Sequence, residues 1–438
     1  MMMNRMLLAF LAAPSLALAQ VPAESIPVVT LAEARRRSVS IDPNAVAARS
    51  RLETASWERR TALTNLITPS LRMTTTYTHF SEPFFNFGTA GISPNAASAT
   101  LDANYAILGF GKFGALKSAR ASVASAEALE TVSRFRTALE TDAAYFAVLA
   151  DRELSRVADD RLKRAEEALA LARVRVIAGE SVSSDSLQLL LEASRARLAI
   201  LSMDSALTAS RLRLGRRIGL SGPAEAAPVD TVLPPQLPMS REQAIAEMRA
   251  RGPDVEAARA QEKSANAVVM AERERYLPEI SIGATAGRYD TELFPSALKR
   301  NQWNMTVALP IWNGGTREFA IARARADRSV ASATRADLER AAAEVMSQAY
   351  HGYLNSRGGI DLALIGVTAA AENYRVQNAR YREGATTILD LLEAQVSLSE
   401  AQAALIRARY SSRLSLAQIE ALLGRRIFET PATNLNVR

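Results

Sequence analysis

Four stretches of the chain alternate between apolar and polar residues, which is the period of a β-strand. Each is about ten residues long, as in a membrane-spanning strand, and long polar loops are expected over 81–98 and 290–300. The alternation equally fits an ordinary hairpin with one face on a soluble core. The apolar positions are Leu71, Met73 and Tyr77; Leu101, Ala103, Tyr105 and Ile107; Ile280, Ile282, Ala284 and Ala286; and Trp303, Met305, Val307, Leu309 and Ile311.

Other segments have the length of extended helices. Residues 112–178 and 316–383 contain no proline over 67 and 68 positions, or about 100 Å of helix each. Gly179 and Gly384 follow these segments, so the chain is expected to reverse there into returning helices over 184–217 and 387–423. Four glycines between 352 and 366 predict a loosened or kinked second helix. Each half therefore predicts a long antiparallel helical hairpin.

The two halves repeat one order of elements, with helices, two strands, a very long helix, a turn and a returning helix. Three residues recur 205 positions later, which implies pseudo-twofold geometry. They are Gly179, Asp185 and Gly219, repeated as Gly384, Asp390 and Gly424. The predicted domains are a signal peptide at 1–19, a first repeat at 20–222, a proline-rich connector at 223–239, a second repeat at 240–424 and a C-terminal tail at 425–438.

The first residues have the pattern of a secretory signal. Arg5 precedes an apolar run, Met6–Ala13, and Ala17–Ala19 form an A-x-A cleavage site, so the mature chain is expected to begin at Gln20. The chain has no cysteine, which excludes an acylated lipoprotein terminus, disulfides and thiolate metal sites. The net charge of +7 is spread along arginine-rich helices, and export argues against nucleic acid as a partner.

The strand number of one chain is too small for a barrel. Strands cross a membrane only in a closed barrel, because lipid offers the backbone no hydrogen-bonding partners. This chain offers four strands, whereas bacterial single-chain barrels begin at about eight. Several chains would therefore share one barrel. Short links at Gly109–Gly111 and Asn313–Gly315 join strands to helices, so the helices would form a cylinder beneath it.

An ordered set of motifs narrows the class of protein to which the sequence can be compared. It comprises Asp42-Pro43 at the start of a helix, the strand exit Leu309-Pro310-Ile311-Trp312-Asn313-Gly314-Gly315, the turn Tyr381-x-x-Gly384 and the pair Asp390-x-x-Glu393. With the duplication, this set resembles the TolC-like family of outer-membrane efflux and export proteins over essentially the whole mature chain. The resemblance implies a mixed α and β fold. Long antiparallel coiled-coil α-hairpins would form a periplasmic tunnel, and four transmembrane β-strands per chain would contribute to a trimeric twelve-stranded β-barrel.

The resemblance also implies a function. The chain would be a homotrimeric exit duct in the outer membrane of a Gram-negative bacterium, serving a tripartite efflux or type I secretion system. Its partners would be outer-membrane lipid, a periplasmic adaptor (membrane fusion) protein and an inner-membrane pump or ABC transporter, without any cofactor. Small toxic compounds or a secreted polypeptide would pass through it. The alternative is a soluble periplasmic coiled-coil adaptor or spacer, against which the duplicated strands count.

Two acidic residues follow the second turn. Asp390 and Glu393 are three positions apart and share a helix face. In a trimer, three copies of each would form acidic rings, which favour cations. The family carries its selectivity constriction at these positions, usually as two aspartates, so Glu393 would keep the charge on a longer arm. The alternative is a solvated helix face.

A second candidate site joins the two turns. Tyr381 and Asp185 match a latch with which the family holds its tunnel closed, and Ser184 and Thr386 match a neighbouring link. The family's well-studied member has a basic residue at the position of Thr386, and its absence here predicts a weaker closed state. The alternative is a tyrosine that packs at the tip and an aspartate that caps a helix.

The turns themselves are the third candidate site. In the family, an adaptor hairpin docks on the turns that contain Gly179, Glu180, Gly384 and Ala385 in this chain. Glycine permits a tight reversal whether or not a partner binds. Turn geometry therefore follows from the residues, whereas docking follows from the resemblance.

Glycines also mark the junctions between strands and helices. Residues 109–114 read G-x-G-x-x-G, but a dinucleotide site needs a compact βαβ unit of about thirty residues, and this helix is far too long. We interpret Gly109 and Gly111, with Gly314 and Gly315 in the second repeat, as strand-to-helix junctions. No Walker loop, H-E-x-x-H motif or nucleophile elbow occurs, so the sequence predicts no enzyme and no metal site.

Overall fold

The computed structural model describes residues 26–86, 90–109, 111–229 and 236–428. The predicted signal peptide lies outside the described residues, as do parts of the predicted connector and tail. The helices are α1 (Leu31–Ile41), α2 (Pro43–Ile67), α3 (Lys112–Ile177), α4 (Ser183–Arg217), α5 (Arg241–Arg251), α6 (Pro253–Glu274), α7 (Thr316–Arg382) and α8 (Ile388–Leu423). The strands are β1 (Val28–Val29), β2 (Ser70–Asn86), β3 (Gly91–Leu108), β4 (Glu225–Ala226), β5 (Glu279–Asp290) and β6 (Leu298–Ala308).

Local side-chain chemistry explains where α2 begins. The Asp42 carboxylate accepts hydrogen bonds from the backbone N–H groups of Asn44 and Ala45, and so satisfies donors that have no partner inside the helix. Pro43 occupies the first turn, where its missing N–H costs nothing. The predicted helix start at Pro43 is confirmed.

The four long strands form one antiparallel sheet in the order β2-β3-β5-β6. Paired residues share a face, and the register separates an apolar face from a polar one, which confirms the predicted alternation as far as Ala308, where β6 ends before the expected positions Leu309 and Ile311. One row reads Leu71–Ala103–Ala284–Trp303, and the next reads Arg72–Asp102–Thr285–Gln302. Trp303 is 81% exposed and Met73 is 73% exposed, so the apolar face is bare in the single chain.

Strands β2 and β3 are longer than predicted. Residues 81–98 were expected to form a polar loop, but β2 and β3 occupy most of this range, and that expectation is wrong. The register shifts between His79 and Phe84. Pro83 and Pro94, which cannot donate a ladder hydrogen bond, fall at this irregularity. The strands therefore continue past a bulge that interrupts their alternation.

Helices α3 and α7 are single helices of 66 and 67 residues, and α7 continues through all four glycines between 352 and 366. The returning helices α4 and α8 pack along them. Helix α2 packs against α3, α3 against α6 and α6 against α7, which repeats the order of the strands above them. In the part of the chain that the structure describes, no helix is long and apolar enough to cross a membrane.

A short parallel pair of strands, β1 with β4, was not predicted. It packs on the middle of α3, where Tyr145 is only 1% exposed. The Tyr145 hydroxyl donates to the carbonyl oxygens of Val29, at 3.2 Å, and Ala227, at 2.7 Å. Arg152 pairs with Glu225 on β4 at 3.2 Å. These contacts fix the chain before α1 and after α4 to the long hairpin.

Candidate functional site at the hairpin turns

The two hairpin turns have the same backbone geometry. Gly179 and Gly384 adopt φ angles of +77° and +73°, a left-handed conformation that favours glycine. The N–H of Glu180 donates to the carbonyl of Arg175 at 2.9 Å, and the N–H of Ala385 donates to that of Arg380 at 2.8 Å. These bonds give each long helix the same kind of C-terminal closure.

The second turn packs against the first hairpin. Tyr381, in the last turn of α7, is 3% exposed and belongs to a cluster with Leu189 and Ala193 of α4. Ala172 of α3 and Leu391 of α8 complete the contact. All four helices therefore meet in one apolar core just behind the turns.

The acidic pair lies on the exposed side of α8. Asp390 and Glu393 are both exposed and three residues apart. The Asp390 carboxylate accepts hydrogen bonds from the hydroxyls of Thr387, at 2.6 Å, and Thr386, at 2.8 Å. These bonds lower the pKa of the Asp390 carboxyl. Asp390 also forms a capping box with Thr387 at the start of α8, so it has a structural role besides its charge.

The predicted latch is not formed within this chain. Burial, followed by the charge of Asp185, raises the pKa of Tyr381. However, the buried Tyr381 hydroxyl has no hydrogen-bond partner among the described residues, and Asp185 accepts from Ser181 at 2.5 Å. Val182, not Asp185, occupies the cap position of α4. Within one chain, Tyr381 and Asp185 therefore form no hydrogen bond with each other.

The neighbouring link is also absent. The Thr386 hydroxyl donates to Asp390 at 2.8 Å and to Gln377 at 3.2 Å. Ser184 is exposed on the first turn of α4. Because these partners lie on the same hairpin as Thr386, its hydroxyl is not available to Ser184.

Arg175 makes the contact that sequence reasoning missed. It lies in the last turn of α3, and its Nη1 donates to the carbonyl oxygen of Tyr381 at 2.5 Å. Its guanidinium carbon is 5.4 Å from the centroid of the Tyr381 ring, within the range of a cation–π interaction. The Arg175 side chain is 15% exposed and also lies 3.7 Å from the Glu180 carboxylate. Arg175 therefore connects the two turns.

The sequence repeat contains an arginine at the same position before each turn, which could have drawn attention to Arg175. Arg175 stands four residues before Gly179, and Arg380 stands four residues before Gly384. Their contacts differ, however, because the Arg380 guanidinium donates to Ala385 in its own turn, at 3.2 Å. The repeat marks both positions, but only the fold shows that Arg175 crosses between hairpins.

The strand-to-helix junctions lie at the opposite end of the hairpins. Gly111 and Gly315 precede α3 and α7 with φ angles of +71° and +81°. Gly314 also has a positive φ, whereas Gly109 is close to the Lys112 side chain. Lys112 donates to carbonyl oxygens of the strand exit and of α2, and its helix runs for 66 residues. The surroundings of this glycine run are those of a junction and lack a compact βαβ unit.

The described chain thus combines two long helical hairpins with an antiparallel sheet that has one bare apolar face. The profile described as "Outer membrane efflux protein" matches residues 31–220 and 244–425. The chain belongs to this outer membrane efflux protein family. It is thus a protein of the Gram-negative outer membrane with a large periplasmic helical part, and its relatives are channels, not enzymes.

Individual relatives agree with this assignment. The pyoverdine export outer membrane protein OpmQ of Pseudomonas putida is 29% identical over 288 residues, which cover 63% of this chain and 58% of that protein. OpmQ of Pseudomonas aeruginosa is 27% identical over 355 residues, covering 77% and 71%. The chain thus spans less than two thirds of the first relative. The Campylobacter jejuni CmeC outer membrane channel has the same fold, with a TM-score of 0.78, 16% identity and coverage of 91% and 87%.

Proposed function

We propose that this chain is the homotrimeric exit duct of a tripartite efflux or type I secretion system. Small toxic compounds or a secreted polypeptide would leave the periplasm through it. An inner-membrane pump or ABC transporter would supply the energy, and a periplasmic adaptor would bridge the two. The observation that carries the proposal is a sheet with two open edges and one bare apolar face.

The open edges call for further copies of the chain. In the described chain, β2 and β6 are the outer strands of the sheet, and β6 is exposed along its whole length. An open edge presents backbone groups that lipid cannot satisfy. Because the four strands alternate in direction, β6 of one copy can pair antiparallel with β2 of the next. Three copies would supply twelve strands, within the range of bacterial barrels.

The helices also carry apolar surface that a neighbouring copy would cover. On α4, Leu187, Leu198 and Leu201 are 64%, 66% and 64% exposed. On α7, Leu362 and Ile365 are 71% and 66% exposed. Large exposed side chains in rows along long helices are typical of an interface between subunits.

The turns would face the periplasm, at the end of the hairpins remote from the sheet. Beside Gly179 and Glu180, Ile177 is 86% exposed and forms an apolar tip that suits an adaptor. The second turn, Gly384 and Ala385, would offer the equivalent position. Asp390 and Glu393 follow it on an exposed face, where threefold copies would form the acidic constriction.

The names of relatives favour small cargo. Curated relatives are named for pyoverdine export, antibiotic efflux and toluene efflux. A small molecule is therefore the first cargo to test, ahead of a polypeptide. The comparisons give no support to the alternative of a soluble adaptor or spacer.

Native mass spectrometry of the detergent-extracted complex tests the proposal directly. A trimer is expected, and a monomer or dimer would contradict it. Membranes washed with carbonate should retain the protein, whereas release into the wash would favour an adaptor.

A matched pair of variants tests which face of the sheet meets lipid. Met305→Arg places a charge on the apolar face, where Met305 is 64% exposed, and Gln302→Arg places it on the polar face. A charge facing the bilayer midplane costs about 2–4 kcal/mol. Met305→Arg should therefore lower the yield of membrane-inserted trimer, and Gln302→Arg should not. Equal yields would refute the assigned faces.

A further inference from the structure

We propose that Arg175 is the link that holds the second hairpin turn against the first and so keeps the tunnel entrance closed. The proposal rests on the proposed function and adds a positioning residue to it. Its basis is the contact of Arg175 with Tyr381 and Gly384, two residues of the other hairpin.

The carbonyl that Arg175 binds is a suitable acceptor for a cation. Tyr381 lies in the last turn of α7, where the helix dipole favours positive charge; its carbonyl oxygen accepts from the N–H of Gly384 at 3.1 Å and has a second lone pair for Arg175. The guanidinium binds this carbonyl at 2.5 Å and lies 5.4 Å from the ring of the same residue. One side chain thus contacts both the backbone and the ring of the residue that fills the core behind the turns.

Gly384 leaves room for the guanidinium. A Cβ atom at this position would lie 2.9 Å from Nη2 of Arg175. At Gly179, which has nearly the same φ, a Cβ atom would have no neighbour within 4 Å. Glycine at 384 therefore serves the turn and also admits Arg175, whereas glycine at 179 serves the turn alone.

The other candidate polar groups are occupied within their own hairpin or have no partner. Asp185 accepts from Ser181, and Thr386 donates to Gln377 and Asp390. The Tyr381 hydroxyl makes no hydrogen bond in the described chain. At the turns that the structure describes, the polar connection between hairpins is therefore that of Arg175. Its loss would leave the α7–α8 turn held by the apolar core behind it and by Arg164, farther back on α3, which lies 5.8 Å from the Tyr374 ring and 3.3 Å from the Ser399 hydroxyl.

Planar-bilayer recording of the full-length protein tests this role. Hydrogen bonds to charged groups are strong enough that Arg175→Ala should raise the open fraction of the resting channel about tenfold. Arg175→Lys should give an open fraction between those of the wild type and Arg175→Ala, because lysine keeps the positive charge but lacks the planar guanidinium group. Arg173→Ala removes the same charge from an exposed position on the same helix and should match the wild type.

Hydrogen–deuterium exchange separates this proposal from the proposed function. In detergent, the amide hydrogens of residues 381–386 should exchange about tenfold faster in Arg175→Ala than in the wild type. Arg380→Ala, at the repeat-equivalent position, loses only an exposed bond within its turn and should change exchange by less than about threefold. Native mass spectrometry of each variant checks that assembly is unchanged.

The outcomes are distinct. Wild-type exchange and conductance in Arg175→Ala would overturn the link, as would an equal effect of Arg380→Ala. A wild-type protein that forms no channel would instead refute the exit duct. Amide exchange at the second turn would still decide whether Arg175 holds it.

Discussion

The buried carboxylate of Asp142 allows a sharp test of how α1 is held to the long hairpin. Asp142 lies on α3 with a fully buried side chain, and both of its oxygens accept hydrogen bonds from Arg35 of α1, at 2.6 and 2.8 Å. Arg426, beyond α8, lies 3.8 Å away. Asp142→Asn keeps the size of the side chain but removes its charge and one acceptor, so Arg35 loses its ion pair with Asp142, whereas Arg426 keeps its closer partner, Glu420, at 2.7 Å.

The expected magnitude follows from the burial of the pair. Removing one partner of a buried ion pair costs about 3–5 kcal/mol. Arg35 is 17% exposed, so water can recover part of this loss, and the lower end of the range, about 3 kcal/mol, applies. That energy corresponds to about a 150-fold increase in the population of molecules in which α1 has separated from α3.

Native-state proteolysis with trypsin measures this population, because α1 carries exposed cleavage sites at Arg36 and Arg37. When opening and closing are fast, the cleavage rate follows the open population. Glu33→Gln is the matched control, since Glu33 pairs with these two exposed arginines and such a pair contributes about 0.2–1 kcal/mol, or at most about fivefold. Equal cleavage rates in Asp142→Asn and Glu33→Gln would refute the assignment of the larger energy to burial.

Three further predictions concern the turns. Asp390→Asn combined with Glu393→Gln should abolish channel block by trivalent cations without changing trimer mass; unchanged block would remove both residues from the constriction. The hydrogen bond from the Thr387 hydroxyl is the main cause that lowers the pKa of Asp390. The Asp390 carboxylate therefore stabilises the start of α8 fully at any pH above the ordinary aspartate pKa of about 3.9. This stabilisation is lost only as the pH falls through the lower pKa of the folded protein. Amide exchange at the start of α8 that already rises at pH 5 would contradict this. Tyr381→Phe should keep wild-type resting conductance, because its hydroxyl is unpaired here, whereas a rise would support the predicted latch with Asp185.

The fold was predictable wherever periodicity and backbone chemistry act locally. Alternation located the strands, absence of proline located α3 and α7, and glycines located both turns, where the structure gives them positive φ angles. The pair of β1 with β4 was not predictable, because two residues carry no period and the Tyr145 hydroxyl that fixes it comes from a distant helix. The outer halves of β2 and β3 were missed because Pro83 and Pro94 look like breakers, although a bulge accommodates them.

At the candidate site, too, local features could be predicted from the sequence and long-range contacts could not. The shared helix face of Asp390 and Glu393 followed from their spacing of three residues. The capping box of Thr387 with Asp390 also has a spacing of three, so it too could be recognised in the sequence. Arg175 acts over 206 residues of sequence, so no local pattern could give its partner. The Tyr381–Asp185 latch is not bonded within one chain and stays a prediction for the assembled trimer.

The divergence between the two turns indicates which of them can move. The α7–α8 turn satisfies its polar groups by itself, with Arg380 bound to Ala385 and Thr386 bound to Asp390. It could therefore swing as one unit, losing the bond from Arg175, the packing of its core and the contacts of Arg164 with Tyr374 and Ser399. The α3–α4 turn supplies that bond and is the fixed side. We therefore expect opening to displace the second hairpin against the first, and amide exchange on channel opening should rise at residues 381–386 more than at residues 176–182. The reverse order would show that the first hairpin is the moving one.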